Sequence, residues 1–297
     1  MMQRFLLAVF VVVDIVLIVG ALRHVNGTPP STDLPDAAAT AAPSPSAGAP
    51  ATTEAPTQLP YDFTASQAVA LSSANDGTVV YGTRGRCSDP EASVQVSTDG
   101  GADFSPANTG LTTTLAVKTT SKASISVVGT VASCDVQQLT STDGGASWTR
   151  DDDVTLWYPA ADDTATVVTP DGSTQPGDGC VVTSVAQVTA QSGRISCADG
   201  TIRGSGDNGK TWVQLGRLDN VRVSTFLTPT AGFALARFSG CAANAFTTDD
   251  GGVTWTPGGC ISGDPAQAIA ATSSRLVAVV ADGFYASDDN GSAWMQP

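Results

Sequence analysis

Beyond residue 60 the chain alternates short apolar runs with polar, glycine-containing breaks. After residue 25 no stretch keeps the i, i+3, i+4 spacing of an amphipathic helix. Runs such as Ala68-Val69-Ala70-Leu71, Thr78-Val79-Val80-Tyr81 and Ser124-Ile125-Ser126-Val127-Val128 are short and rich in β-branched residues, so they predict strands. Two regions near the start break this pattern. Residues 5–22 form a continuous apolar run behind Arg4, and residues 27–60 show no apolar periodicity.

The breaks between strands share a spelling. Ser141-Thr142-Asp143-Gly144-Gly145-Ala146-Ser147-Trp148 recurs in four other places, as Ser/Thr-x-Asp-x-Gly-x-x-aromatic, with its aspartates at Asp99, Asp207, Asp250 and Asp289. Asp followed by Gly or Asn and then Gly is turn chemistry. The carboxylate accepts from backbone N–H groups further along, while Gly and Asn adopt positive φ without steric cost. Four of the 5 tryptophans, Trp148, Trp212, Trp255 and Trp294, occupy the aromatic position, which indicates an apolar anchor behind a tight hairpin. Successive aspartates are 44, 64, 43 and 39 residues apart. Units of about 40–50 residues made of short strands are propeller blades. The step of 64 is too long for one blade and predicts a hidden copy. Residues 161–172 align with residues 272–283, and that register puts Asp178 opposite Asp289 in a copy without its tryptophan. The reading is therefore six blades rather than five: 61–104, 111–148, a degenerate 154–182, 185–212, 221–255 and 266–294.

The five copies resemble the Asp-boxes, or BNR repeats, of sialidase-like propellers and their non-enzymatic relatives. The resemblance covers roughly residues 61–297. It implies an all-β, six-bladed β-propeller with Asp-box hairpins between third and fourth strands, lying away from any active face. The structural set is then Asp99, Asp143, Asp178, Asp207, Asp250 and Asp289 with Trp148, Trp212, Trp255 and Trp294. It also raises an exo-glycosidase reading. The enzymes of that family use three arginines for a substrate carboxylate, a tyrosine nucleophile helped by a glutamate, and an aspartate acid/base. Here Arg-Ile-Pro does not occur, and the two glutamates are Glu54, in the proline-rich stretch, and Glu91. Tyr61, Tyr81, Tyr158 and Tyr285 have no glutamate close in sequence. The glutamate shortage counts against sialidase chemistry and leaves no catalytic residue to name.

Other chemistry finds little support. The single histidine, His24, lies beside the apolar segment, so Ser–His–Asp and Cys–His catalysis and a zinc site are disfavoured. Asp151-Asp152-Asp153 reads as a solvated acidic turn in preference to a calcium site. No metal or cofactor is expected. With 14 basic against 28 acidic residues, the net charge of −14 disfavours nucleic acid. Candidate binding residues are Trp157 and Tyr158, an aromatic pair suited to stacking at a propeller mouth, and Arg84, Arg86 and Arg237, cations near the cysteine-bearing loops of an acidic chain.

Residues 1–26 read as an export segment, and its 18 apolar residues at 5–22 approach a spanning length despite Asp14. It serves either as an uncleaved membrane anchor or as a signal cleaved near Val19-Gly20-Ala21. Residues 27–60, rich in Pro, Ala, Thr and Ser, read as a disordered linker, leaving 61–297 for the propeller. All 6 cysteines follow the export segment, which suits an oxidising, extracytoplasmic compartment. Six cysteines leave the connectivity open by sequence alone; blade adjacency favours Cys87 with Cys134, Cys180 with Cys197 and Cys241 with Cys260. Three functions remain open. One is a membrane-tethered, non-catalytic propeller binding a protein or glycan at the cell surface. The others are the glycosidase and an assembly factor for a membrane complex.

Overall fold

The computed structural model describes residues 68–297 apart from positions 84, 86, 88–91, 162, 178, 239 and 282. The expected anchor and linker, along with Arg84, Arg86 and Asp178, lie outside the described residues. All the described residues fall in one unit, Ala55–Pro297.

That unit contains six antiparallel sheets in chain order, and it is a six-bladed β-propeller. Blade one is β1 (Ala68–Ser73), β2 (Val79–Thr83), β3 (Val94–Ser97) and β4 (Ser105–Ala107). Blade two is β5 (Ala116–Ser121), β6 (Ser124–Thr130), β7 (Val136–Ser141) and β8 (Thr149–Arg150). Blade three has three strands, β9 (Tyr158–Pro159), β10 (Val167–Thr169) and β11 (Gly172–Thr174). Blade four is β12 (Val182–Gln187), β13 (Gly193–Cys197), β14 (Thr201–Ser205) and β15 (Val213–Arg217). Blade five is β16 (Val221–Phe226), β17 (Gly232–Phe238), β18 (Cys241–Thr248) and β19 (Thr256–Ile261). Blade six is β20 (Ala266–Ala271), β21 (Leu276–Val280) and β22 (Gly283–Ser287), with Met295 bridged to Ala286. Two boundaries differ from the sequence reading. Tyr158–Pro159 is itself the first strand of blade three, and Val182 opens blade four. Among the described residues there is no helix long and apolar enough to cross a membrane.

Each blade is a sheet with both faces covered by neighbours, so its middle strands are apolar on both sides. All five residues of Leu276–Val280 are buried. The core is therefore six seams between blades. Val80, Val94 and Val96 of blade one meet Ile125, Val127 and Leu139 of blade two. Leu115 and Val128 meet Leu156 and Tyr158 at the next seam. Val79 of blade one packs with Ala270, Val277 and Ala286 of blade six, and this contact closes the ring.

The repeat turns key these seams together. In each, the Ser or Thr hydroxyl donates to the aspartate and accepts from the second glycine N–H. Thr248 Oγ1 lies 2.8 Å from Asp250 Oδ1 and 2.9 Å from Gly252 N. The two residues after each aspartate have positive φ, as at Gly251 (80°) and Gly252 (98°) or Asn290 (58°) and Gly291 (84°). The second glycine also presses on the preceding blade, and a Cβ on Gly101 would overlap Phe284 of blade six. The following aromatic fills the same seam. Trp148 packs with blade one, Trp212 with blade three, Trp255 with blade four, Trp294 with blade five, and Phe104 with blade six. The aromatics are thus wedges between blades, not anchors within their own blade.

Candidate binding site

The first strand of every blade, β1, β5, β9, β12, β16 and β20, faces the axis of the ring. These strands cross-link side by side. Thr119 N donates to Ser72 Oγ (2.9 Å), and Ser224 N donates to Ser184 Oγ (3.0 Å). Between them runs a channel of about 340 Å³, walled mainly by Ala, Val, Leu, Ser and Thr. Its polar groups include Ser72, Thr119, Ser184, Ser224, Thr225 and Gln267. The Ser184, Ser196 and Ser224 hydroxyls are linked, with Ser196 Oγ 2.6 Å and Ser184 Oγ 3.2 Å from Ser224 Oγ. Lys118 is the one charged side chain among the described lining residues, which include no carboxylate, arginine or tyrosine.

Four of the described arginines are engaged elsewhere. Arg194 donates to the backbone carbonyls of Gly193 and Pro229, and burial lowers its pKa. Arg203 donates to Pro176 O (3.0 Å), Arg217 pairs with Asp219 (2.7 Å), and Arg275 lies 3.5 Å from Asp288. The three converging arginines of the glycosidase reading have no counterpart in the described lining.

The structure redistributes the candidate binding residues. Trp157 is 2% exposed and Tyr158 6%, so the aromatic pair has no free face to stack on a ligand. Trp157 meets Trp212 edge to face, with centroids 6.1 Å apart, in the seam between blades three and four. Tyr158 packs in the seam between blades two and three, where burial raises the pKa of its phenol. Tyr158 opens the inner strand of blade three and Trp157 immediately precedes it, so each falls between two blades. Arg237 is exposed beside the turn leading to Cys241. Arg84 and Arg86 flank Gly85, a lining residue, but are not themselves described. Lys118, Ser184 and Ser224 were missed by the sequence reading. The available signal was the serine and threonine content of the first strands of blades one, two, four and five.

The aspartates of the repeats lie in the turns joining third and fourth strands and are absent from the channel wall. Their carboxyls are held below the ordinary range by hydrogen bonds. Asp143, Asp207 and Asp250 are lowered to about 2, first by the hydroxyls of Ser147, Thr211 and Thr254. Asp99 and Asp289 have Asp103 and Ala293 at that position and are also lowered, by Ser97 and by the Ala293 backbone respectively. Asp151 accepts from Gln138 Nε2 (2.7 Å) and Thr140 Oγ1 (2.6 Å), and no metal-ligating cluster occurs among the described residues.

All three disulfides follow the expected pairing. Cys87–Cys134 joins a loop of blade one to one of blade two, while Cys241–Cys260 bridges adjacent strands of blade five. Three disulfides suit an oxidising, extracytoplasmic environment.

No family model and no curated protein sequence matches the chain. Solved structures resemble it in fold at low identity. YCF48 from Cyanidioschyzon merolae is 15% identical over 79% of this chain and 85% of its own, with a TM-score of 0.45. A structure described as YCF48 bound to D1 peptide is 18% identical over 82% of this chain and 74% of its own, with a TM-score of 0.32. A GH74 xyloglucanase from Xanthomonas campestris is 12% identical over 77% of this chain and 46% of its own, with a TM-score of 0.43.

Proposed function

We propose that this protein is an exported, non-catalytic β-propeller of the sialidase-like Asp-box kind, tethered by residues 1–26 and binding a protein or glycan partner at the cell surface. The observation that carries the reading is the channel wall. Its described residues are small, apolar or hydroxylated apart from Lys118, and they offer no pair of groups able to exchange a proton with a substrate. The five repeat turns support the family reading, because each aspartate is satisfied within its own hairpin. The disulfides support export.

Two measurements test it. The full-length chain, solubilised in mild detergent, is incubated with a fluorogenic sialoside and then applied to a glycan array and a co-purification screen. Turnover lost in a Tyr or Asp variant refutes the non-catalytic reading. Saturable capture of one glycan or protein without turnover is the expected result. Recovery of the chain in a membrane fraction that resists carbonate extraction is expected of the tether, and a wholly soluble mature form refutes it.

A further inference from the structure

The sheet of blade six ends on an open edge. β22 is its outermost strand, and on that side only Ala286 is paired, with Met295. Those two residues exchange both backbone hydrogen bonds, at 2.8 and 3.0 Å. Continuing their register sets Pro297 opposite Phe284, and a proline has no N–H to donate. Among the described residues, no strand lies beside Gly283, Phe284 and Tyr285 on the outer side. Blade five has a full strand in this place. There β19 pairs with β18 from Thr247↔Thr256 to Ala243↔Ile261. The turn hydroxyls of Thr248 and Ser287 are equivalent, so Met295 stands where Thr256 does, and β22 lacks the far half of its partner.

The chain just before blade one has the matching spacing. β1 and β20 begin alike, with Ala68 opposite Thr83 and Ala266 opposite Val280. Each then bulges and resumes at Ala70↔Gly82 and Ala268↔Val279. Ala68 therefore corresponds to Ala266. Counting back, residues 64–67 match 262–265, the connection from β19 to β20, and Tyr61-Asp62-Phe63 match Gly259-Cys260-Ile261, the far half of β19. Polarity matches as well. Ile261 is buried and Cys260 exposed, while Phe63 is apolar and Asp62 charged.

The neighbouring seam is uncovered in the corresponding place. Ile261 clusters with Ala245, Ile269 and Ala278, all buried. Their counterparts between blades six and one are Phe284, Leu71 and Tyr81, and all three are only half-buried. Tyr81 and Phe284 each meet Phe104 edge to face, with centroids 5.0 and 5.1 Å apart. An open strand edge beside partly exposed rings accepts one more strand that turns an apolar side chain inward.

We propose that Tyr61-Asp62-Phe63 adds to β22 as the outer strand of blade six, continuing the strand that Met295 begins, with Phe63 seated on Leu71, Tyr81 and Phe284. These three residues then belong to blade six, not to blade one, and the ring is latched by chain from both ends of the propeller. The connection to β1 equals the one from β19 to β20, which keeps the latch within one molecule. The latch goes beyond the binding reading and requires no ligand.

The test uses the full-length chain in mild detergent with p-benzoylphenylalanine in place of Phe63. On irradiation it is expected to cross-link, within one molecule, to the peptides carrying Leu71, Tyr81 or Phe284, as read by mass spectrometry. Cross-links confined to a second copy, to other blades or to nothing overturn the proposal. Hydrogen exchange gives an independent readout. Phe63→Ser should speed exchange of the peptide covering Gly283–Ser287 at least about tenfold, and Phe63→Leu should stay within about threefold of wild type. Equal exchange in wild type and Phe63→Ser overturns the latch. If Phe63→Ser unfolds every blade, the cross-link decides. A failed ligand screen would leave the latch standing, and a missing cross-link would leave the binding reading standing.

Discussion

Blade five carries a repeat turn and blade three carries none among its described residues, yet both pack into the same ring. In blade five, Thr248, Asp250 and Gly252 lock a hairpin whose Trp255 wedges against Ile202 of blade four and meets Phe226 of its own blade edge to face. Blade three is three short strands. Its seam with blade two holds no repeat aromatic and is filled by Leu115, Leu156 and Tyr158. Its seam with blade four receives Trp212 from the next repeat and adds Trp157, the residue just before its own inner strand. A propeller blade therefore needs a filled seam on each side, and the repeat turn is one of two ways of filling it. The aromatic can also come from the inner strand.

The largest test of that equivalence is Trp157→Ala. Removing a fully buried indole should cost about 4 kcal/mol in chemical denaturation. A loss below about 1 kcal/mol would show that blade three contributes little to the ring. Trp255→Ala comes next. This wedge is only partly buried, so about 3 kcal/mol is expected, and a value matching Trp157 would erase the distinction between them. Gly252→Ala probes the turn itself. With φ at 98° and a new Cβ 3.0 Å from Ile202 Cγ2, it should destabilise by about 1–2 kcal/mol. The same change at Gly179, also at positive φ but with nothing near its Cβ, should cost less.

The smallest effect is expected from pH. The ordinary carboxyl value is 3.8, and Asp143, Asp207 and Asp250 are lowered to about 2 in the fold. A folded-state value below the unfolded one adds stability that is complete above the unfolded pKa and fades as pH falls toward the folded one. Melting temperature should therefore be insensitive to these groups from neutral pH to about 4, then decline between about 4 and 2. Asp250→Asn should flatten part of that decline. An acid profile identical to wild type would mean that the carboxylate adds nothing to the turn.

Much of this architecture was legible along the chain. The turn chemistry is local. Asp, two positive-φ residues and a hydroxyl two positions before the aspartate meet within eight residues, so the spelling discloses the hairpin and its period counts the blades. Adjacency of those blades also supplied the cysteine pairs. Direction was not legible. The sequence marks Trp148 or Trp212 as apolar anchors, but which blade receives them depends on where the next sheet lies. For the same reason Trp157 and Tyr158 read along the chain either as a stacking pair at the propeller mouth or as packing between blades, and only the ring places them in the seams.

By itself, then, the sequence determined the number of sheets, the chemistry of their turns and the acidic charge of the chain, because each depends on composition or on residues close in the chain. Tertiary structure decided what fills each seam and what faces the axis. The channel wall collects one strand from each of six blades spread over about two hundred residues. Its hydroxyls and the place of Lys118 among them exist only once ring closure brings those strands around one axis.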